Sequence, residues 1–164
     1  MTEARKICLL GDFAVGKTSL VRRFVDNTFG ERYLTTVGVK IDTKEVVLSE
    51  LRRMKLVIWD LAGASTLNTP ARAYVQGSHG FLVICDGTRK TTLESALGLL
   101  DSARAMIGMK PAILLVNKQD LSESWEIDQD SLEGARKKCS AVYSSSAKSG
   151  ANVERAFSAI GALL

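Results

Sequence analysis

The chain alternates short, almost continuously apolar segments with stretches in which apolar residues recur at helical spacing. The segments that predict β-strands are residues 6–11, 43–48, 54–60, 80–87, 112–118 and 141–146. The stretches that predict α-helices are residues 18–25, 93–106, 131–138 and 153–164. Apolar strands separated by helices predict an α/β fold whose mostly parallel sheet has helices on both faces. Ligands of such sheets bind beyond the carboxyl ends of the strands.

Composition narrows the class to one soluble globular domain, expected to span residues 1–164. Hydrophobic residues make up 46% of the chain and charged residues 24%, which is ordinary for such a domain. The net charge of +4 is mild, and the Lys and Arg residues are scattered. A solvated surface is therefore favoured over a patch for acidic lipid or nucleic acid, and no nucleic-acid partner is expected.

Cysteine usage and the terminal segments predict a cytoplasmic protein without a stable membrane anchor. There is no CxxC pair among the three cysteines, and Cys8 and Cys85 lie in apolar runs, so buried thiols in a reducing compartment are expected. No apolar run reaches the length of about 18 residues that a membrane span needs. The N-terminus lacks the apolar core of a signal peptide, and the C-terminus carries no prenylation cysteine.

A glycine-rich loop follows the first predicted strand and opens the first helix. Gly11, Gly16, Lys17 and Thr18 match the pattern G-x-x-x-x-G-K-[ST]. Backbone N–H groups and the positive end of the helix bind phosphates in such a loop, its lysine reaches the β- and γ-phosphates, and its hydroxyl ligates Mg²⁺. The residues expected to line the phosphates are Phe13, Ala14, Val15, Gly16, Lys17, Thr18 and Ser19. This motif predicts a nucleoside triphosphate but not its base, so an ATPase or a small P-loop kinase stays open.

The sequence "NKQD", residues 117–120, ends a buried strand and can read a guanine base. The Asp120 carboxylate can accept hydrogen bonds from guanine N1–H and from the 2-amino group, whereas adenine would leave it unpaired. Asn117 can tether this segment to the phosphate loop, and the Lys118 stem can cover the base.

A second short motif, "SAK", supports the same prediction. Its residues are Ser146, Ala147 and Lys148. The N–H of Ala147 could donate to guanine O6. "NKxD" alone could be a strand-end turn, but "NKxD" after a phosphate loop and before "SAK" favours a guanine nucleotide.

Together these motifs resemble those of a Ras-superfamily small GTPase of the Rab-like type, with details similar to the Rab-like small GTPases of bacteria. The resemblance covers essentially all 164 residues and is carried by "GDFAVGKTSLVRRFV", "YLTTVGVKID", "KLVIWDLAG", "YVQGSHGFLVICDGT", "NKQDL" and "SSSAKSG". It implies the small G-protein fold of P-loop NTPases, with a six-stranded mostly parallel sheet and helices on both faces. It also implies binding of GTP and GDP with Mg²⁺, and a conformational change in two switch segments.

The first switch segment implied by the resemblance is "YLTTVG", residues 33–38. Thr36 would complete the Mg²⁺ shell when a γ-phosphate is present. Spacing alone allows Thr35 as well, but the alignment of "TVGV" with the Rab sequence "TIGV" favours Thr36. Tyr33 would close over the phosphates. Phe29 would pack against the guanine ring, and a core or helix-end aromatic is the alternative for it.

The second switch segment is "WDLAGASTL", residues 59–67. Asp60 would hold Mg²⁺ through a water molecule, and Gly63 would donate its N–H to the γ-phosphate. Loss of this phosphate would then release both segments. The resemblance thus implies catalytic roles for Lys17, Thr36 and Gly63.

Regulatory and effector proteins are expected to bind a monomeric chain through the two switch segments. Trp59 fits the exposed aromatic that Rab-like proteins present to effectors, with a packed core tryptophan as the alternative. Ile41 stands where the family has a partner aromatic, which puts a Rab-type effector surface in doubt.

Two residues depart from the family pattern beside the γ-phosphate. Ala64 replaces the glutamine that orients the attacking water, and a methyl group can neither donate nor accept a hydrogen bond. Phe13 replaces a small residue and could obstruct an arginine finger, which contributes roughly 10³–10⁵ in rate. Lys17 and the loop amides remain, so the sequence predicts a slow intrinsic GTPase. Compensation by Arg32 or Arg72 is less favoured than a surface role for each.

Two other functions compete with the slow GTPase. A GTP-loaded scaffold with negligible turnover would carry the same binding motifs. A P-loop kinase is disfavoured, because the chain has no room for a lid domain and Asp120 opposes ATP. His79 lies far along the chain from the phosphate motifs, so a structural role is expected for it.

Overall fold

The computed structural model describes residues 2–31 and 35–164. Its strands are β1 (Glu3–Leu10), β2 (Val39–Ser49), β3 (Arg52–Leu61), β4 (Gly80–Asp86), β5 (Ala112–Asn117) and β6 (Ala141–Ser144). Its α-helices are α1 (Lys17–Asp26), α2 (Thr69–Val75), α3 (Thr91–Ile107), α4 (Glu133–Lys138) and α5 (Val153–Leu163). Two short 3-10 helices, Gln119–Ser124 and Asp130–Leu132, precede α4. The predicted α/β fold is confirmed.

The strands form a six-stranded sheet in the order β2-β3-β1-β4-β5-β6. β2 and β3 are antiparallel, as the predicted hairpin requires, and all other neighbouring pairs are parallel. The paired residues near the carboxyl ends of the parallel strands are Leu9 with Asp60, Asp86 with Asn117, and Val116 with Ser144. Because the parallel strands end at this one edge, the loops that follow them meet there.

Helices cover both faces of the sheet and bury two apolar clusters. Ile7 and Leu9 of β1 join the cluster that contains residues of α1 and α5. The alternate residues Cys8 and Leu10 join the cluster that contains residues of α2, α3 and α4. Every residue of β4 and β5 is buried, as expected of strands that are covered on both sides.

Helix α2 lies in a segment for which the hydrophobic pattern predicts no element. Val75 is its buried residue, and Ala71 and Tyr74 pack partly buried on the same cluster, so its apolar face is only three residues long. Its start does carry a local signal: the Asn68 side chain accepts a hydrogen bond from the Ala71 N–H at 2.9 Å, and Pro70 lies in the first turn. The other elements differ from prediction mainly at their ends. The predicted helix over 131–138 begins as a 3-10 helix.

The cysteines and the single histidine have structural surroundings. All three cysteines are free and buried, as expected for Cys8 and Cys85. The His79 N–H donates to the Lys6 carbonyl at 2.8 Å, and the His79 Nδ1 accepts from the Lys6 N–H at 3.0 Å. These bonds extend the pairing of β1 with β4. Every helix within residues 2–31 and 35–164 is too short or too polar to span a bilayer.

The stacked rings of Phe24 and Phe157 join α1 to α5, with centroids 3.9 Å apart. Replacing Phe157 by Ala should lower the free energy of unfolding by about 3–5 kcal/mol, because buried apolar surface is lost and a cavity remains. Urea unfolding followed by circular dichroism measures the change. Leu163→Ala, on the same helix but 45% exposed, is the control and should change stability by about 0.5 kcal/mol or less. Equal losses in the two variants would refute the importance of this stack.

Candidate functional site

The phosphate loop turns from the end of β1 into the first residues of α1. Gly16 has a φ of +102°, and a Cβ there would lie 2.3 Å from Asn117 Nδ2, so only glycine fits. Val15 is the predicted loop residue whose side chain is buried in the core. The predicted residues Phe13, Ala14, Gly16, Lys17, Thr18 and Ser19 line a cavity of about 560 Å³. The cavity is large enough for the polyphosphate of a nucleotide.

Lys17 places a buried positive charge beneath this cavity. Its side chain is 6% exposed, and its Nζ donates to the carbonyls of Gly11 and Asp12 at 3.0 and 3.2 Å. Burial lowers the pKa of Lys17 to about 8, although the negative charges of Asp60 and Asp12 act in the opposite direction. An anion bound beside it would favour the protonated form. The positive end of α1 lies at the same place, so the loop suits a phosphate.

Three oxygen-bearing side chains from separate elements meet beside Lys17. Thr18 Oγ1 donates to Asp60 Oδ2 at 2.5 Å, and Thr36 Oγ1 lies 2.5 Å from Thr18 Oγ1. Thr36 is the threonine that joins this cluster, whereas Thr35 is exposed. Thr18, Thr36 and Asp60 are the residues predicted from the sequence to hold a metal ion, and their oxygens lie together here.

The Asp60 carboxylate in this cluster has the properties of an ion ligand. It is fully buried, and no described residue bonds to its Oδ1. Burial raises the pKa of Asp60, while the hydrogen bond from Thr18 and the charge of Lys17 act to lower it. Mg²⁺ takes oxygen ligands of this kind, and a cation would compensate the buried carboxylate. These residues therefore fit Mg²⁺.

The second switch segment lies directly against the phosphate loop. A Cβ on Gly63 would lie 2.6 Å from Phe13 Cα, so the two backbones could not approach this closely with a larger residue. The Ala64 N–H donates to the Gly11 carbonyl at 3.2 Å. Ala64 thus contacts the loop through its backbone, and its methyl group offers no hydrogen bond. The Phe13 side chain is 55% exposed.

Asn117 connects the base-reading segment to the phosphate loop. It is 2% exposed; its Nδ2 donates to the Val15 carbonyl at 3.0 Å, and its Oδ1 accepts from Ser145 Oγ at 3.1 Å. Ser146 Oγ donates to Asp120 Oδ1 at 2.7 Å, which orients the carboxylate. The segments "NKQD" and "SAK" are therefore joined to each other and to the loop.

A second, smaller cleft lies beside the phosphate cavity. Its volume is about 40 Å³. Its lining includes the predicted base-contacting residues Phe29, Asn117, Lys118, Asp120, Ala147 and Lys148, together with Gly16 and Ser19, which it shares with the larger cavity. Tyr33 and Arg32 lie outside the described residues.

Asp86, at the end of β4, was not singled out in the sequence, but it contacts the predicted base-covering residue Lys118. It is 1% exposed, and its Oδ2 lies 2.9 Å from Lys118 Nζ and 3.0 Å from Arg89 Nε. Burial alone would raise the pKa of Asp86, but hydrogen bonds from Lys118, Thr88 and Arg89 outweigh it and hold the pKa below its usual value. Arg89 Nη2 also donates to the Phe13 carbonyl at 2.8 Å. An acidic residue at the end of the apolar run "FLVICD" was the available signal.

Trp59 is neither an exposed aromatic nor a tryptophan packed fully in the core, the two alternatives considered for it. It is half-buried, and Lys6 Nζ lies 3.7 Å from its ring centroid. The centroid of the Tyr74 ring is 6.1 Å away. Ile41, where the family has a partner aromatic, is 49% exposed.

The site's arrangement agrees with the comparison of the chain with known proteins. A model of the Ras family matches residues 6–164. The chain belongs to the Ras family. This Ras-family chain is 35% identical over 162 residues to the Ras-related protein Rab-1 of Theileria parva, covering 97% of this chain and 73% of the relative. It is 34% identical over 160 residues to the Ras-related protein Rab-13 of Rattus norvegicus, covering 94% and 77%. It is 34% identical over 163 residues to the GTP-binding protein YPTM1 of Zea mays, covering 97% and 77%.

These relatives confirm the Rab-like, Ras-superfamily assignment. Ras-family proteins are GTPases that bind GTP and GDP with Mg²⁺. The phosphate cavity, the oxygen cluster and the smaller cleft are therefore candidate positions for the phosphates, the ion and the base.

Substituting Gly16 should disturb both the loop and its link to Asn117. In Gly16→Ala we expect GDP to dissociate at least about 10-fold faster, because a side chain at this positive φ costs roughly 1–2 kcal/mol and Asn117 must also move. Release of a fluorescent GDP analogue in Mg²⁺ buffer measures the rate. Gly98→Ala on α3 is the control, since a Cβ there meets nothing within 4 Å. Unchanged release from the Gly16 variant would contradict the tight fit.

Proposed function

We propose that this Ras-family chain is a guanine-nucleotide switch that hydrolyses GTP slowly without a partner. The observation that carries the proposal is the meeting of three groups at one sheet edge: the Lys17 loop, the oxygen cluster around Asp60, and the Asp120 cleft. A phosphate chain, a divalent ion and a purine require these three kinds of surface, side by side.

Phosphate binding would rest on charge and on backbone donors. Lys17 would release its two carbonyl acceptors and turn to the β- and γ-phosphates. Mg²⁺, held by Thr18, Thr36 and, through water, Asp60, would neutralise charge on those phosphates. The Gly63 N–H would donate to the γ-phosphate. The catalytic residues of the proposal are thus Lys17, Thr36 and Gly63.

Base recognition would use the smaller cleft. Asp120 would accept from guanine N1–H and the 2-amino group, while its other contact, from Ser146 Oγ, keeps the carboxylate oriented. Ala147 would donate its N–H to O6. Phe29 and the Lys118 stem would cover the ring, and Tyr33 would close over the phosphates.

Slow hydrolysis follows from the surroundings of Ala64. Phosphoryl transfer needs positioning and charge neutralisation, and the groups for both are present. The attacking water, however, has no side chain at residue 64 to orient it. The Ala64 N–H is used by the Gly11 carbonyl. The exposed Phe13 ring would stand in the way of a partner's arginine.

A scaffold that holds GTP without turnover is the alternative, since it needs the same binding groups. Protein partners would bind in either case at the switch segments, where Val37 is 88% exposed and Ile41 is 49% exposed. We include in the proposal a monomeric cytoplasmic protein in which residues 1–164 form one domain.

Single-turnover hydrolysis of bound GTP tests the role of Ala64. Loss of γ-phosphate over hours supports a slow enzyme, and intact GTP after days supports the scaffold. Ala64→Gln should raise the rate by roughly 10- to 100-fold, because misplacing a reacting group by about 1 Å can cost about 100-fold. Ser65→Gln places the same amide one residue further along and should leave the rate unchanged. If Ala64→Gln gives no gain, water orientation is not the missing element.

The base-reading role of Asp120 is tested by Asp120→Asn. GDP affinity should fall by about 100-fold or more, since a site built around a hydrogen-bonded group discriminates strongly once that group is mismatched. Affinity for xanthosine diphosphate should rise, because its extra carbonyl can accept from the new amide. Isothermal titration calorimetry with both nucleotides measures the change in relative affinity for GDP and xanthosine diphosphate. Glu123→Gln, in the same 3-10 helix, is the control, and full GDP affinity in Asp120→Asn would refute the assignment.

A further inference from the structure

Arg23, in the last turn of α1, reaches across to the "SAK" segment. Its Nε donates to the Ala147 carbonyl at 2.8 Å, and its Nη2 donates to the Lys148 carbonyl at 2.6 Å. Its Nη1 lies 3.4 and 3.3 Å from the backbone and side-chain oxygens of Asn27. One planar guanidinium therefore holds two consecutive carbonyls of the segment and the end of its own helix.

These bonds leave the Ala147 amide in a defined position. The peptide group that contains this N–H is held because its carbonyl, that of Ser146, accepts from the Gly150 N–H at 2.8 Å. The following two carbonyls are held by Arg23. Ala147 is 4% exposed, and its N–H donates to no described residue. An N–H of a buried residue that is held in place and has no acceptor among residues 2–31 and 35–164 is available to a ligand.

We propose that Arg23 is a positioning residue for guanine recognition, which fixes the Ala147 N–H where it can donate to O6 of the base. This inference rests on the proposed function. Because α1 begins with Lys17 and Thr18 at the phosphate cavity, the same helix sets the phosphate contacts at one end and the O6 contact at the other. The Asp120 carboxylate is oriented by a different group, the Ser146 Oγ, which also accepts from the Ser149 N–H.

A cation that merely stabilises the C-terminus of α1 is the competing explanation. The two bonds to Asn27 and the favourable position near the helix end would serve that role. A lysine could replace arginine there, because a point charge suffices. The single nitrogen of a lysine could not reproduce the present geometry, because the Ala147 and Lys148 carbonyls are bonded by two separate nitrogens of one rigid plane, Nε and Nη2.

The test compares GDP with 6-thioguanosine diphosphate, which keeps both Asp120 contacts but has sulfur, a poorer acceptor, in place of O6. Affinities of the full chain in Mg²⁺ buffer are measured by competition against a fluorescent GDP analogue. In Arg23→Gln, GDP should bind about 10-fold more weakly, which is the effect expected when a buried hydrogen bond is lost. The affinity for the thio analogue should fall by less than about 3-fold. The preference of the protein for GDP over the analogue thus shrinks.

Two further variants separate positioning from general stability. Arg23→Lys keeps the charge at the helix end, and it should lose the same preference while retaining the thermal unfolding temperature. Arg53→Gln removes a 63% exposed guanidinium on the hairpin and should change neither affinity.

Two outcomes would overturn the inference, and they have different meanings. If wild-type protein prefers GDP to ADP but Arg23→Gln weakens GDP and the thio analogue equally, the role of Arg23 is structural and the proposed function stands. If wild-type protein shows no preference for GDP over ADP, the proposed function fails, and the inference fails with it.

Discussion

The side-chain amide of Asn117 is the contact on which the rest of the site depends. It occupies the space that a Cβ of Gly16 would fill, donates to the Val15 carbonyl and accepts from Ser145. Three loops that leave three different strands are thereby joined by one residue. Since it is almost fully buried, each of its hydrogen bonds would be costly to leave unmade. The parallel sheet brings the loops together, and Asn117 sets their distance.

Buried charge is concentrated at the same edge of the sheet. The charged side chains that are buried in the described part of the chain are Lys17, Asp60 and Asp86. Among the described residues, Asp86 is compensated by cations from two segments, whereas Asp60 Oδ1 has no hydrogen-bond partner and Lys17 Nζ donates to two carbonyls. Burying charges with incomplete partners is unfavourable. A ligand that brings phosphates and a divalent ion would complete both sets of contacts, which links ligand binding to the stability of the fold.

The parts of the fold that the sequence predicted are those with a strong periodic signal. The buried strands β4 and β5 read as unbroken apolar runs, and the phosphate loop lies between a strand and a helix as its motif requires. Helix α2 was not predicted because its apolar face has only three residues, too few for a clear period, although Asn68 and Pro70 marked its start. The long-range contacts of Arg23 and Asp86 could not be found from spacing, because Arg23 bonds to the carbonyls of Ala147 and Lys148 and Asp86 pairs with Lys118.

The bond from Ala64 to the Gly11 carbonyl is made by the main chain. Any amino acid other than proline can make it, so residue 64 can be exchanged while the second switch segment keeps its place on the loop. Under the proposed function, the shape of the GTP-loaded protein and the lifetime of its GTP would therefore be separable properties. Alanine at this position would keep the surface offered to partners and leave the timing of inactivation to another protein.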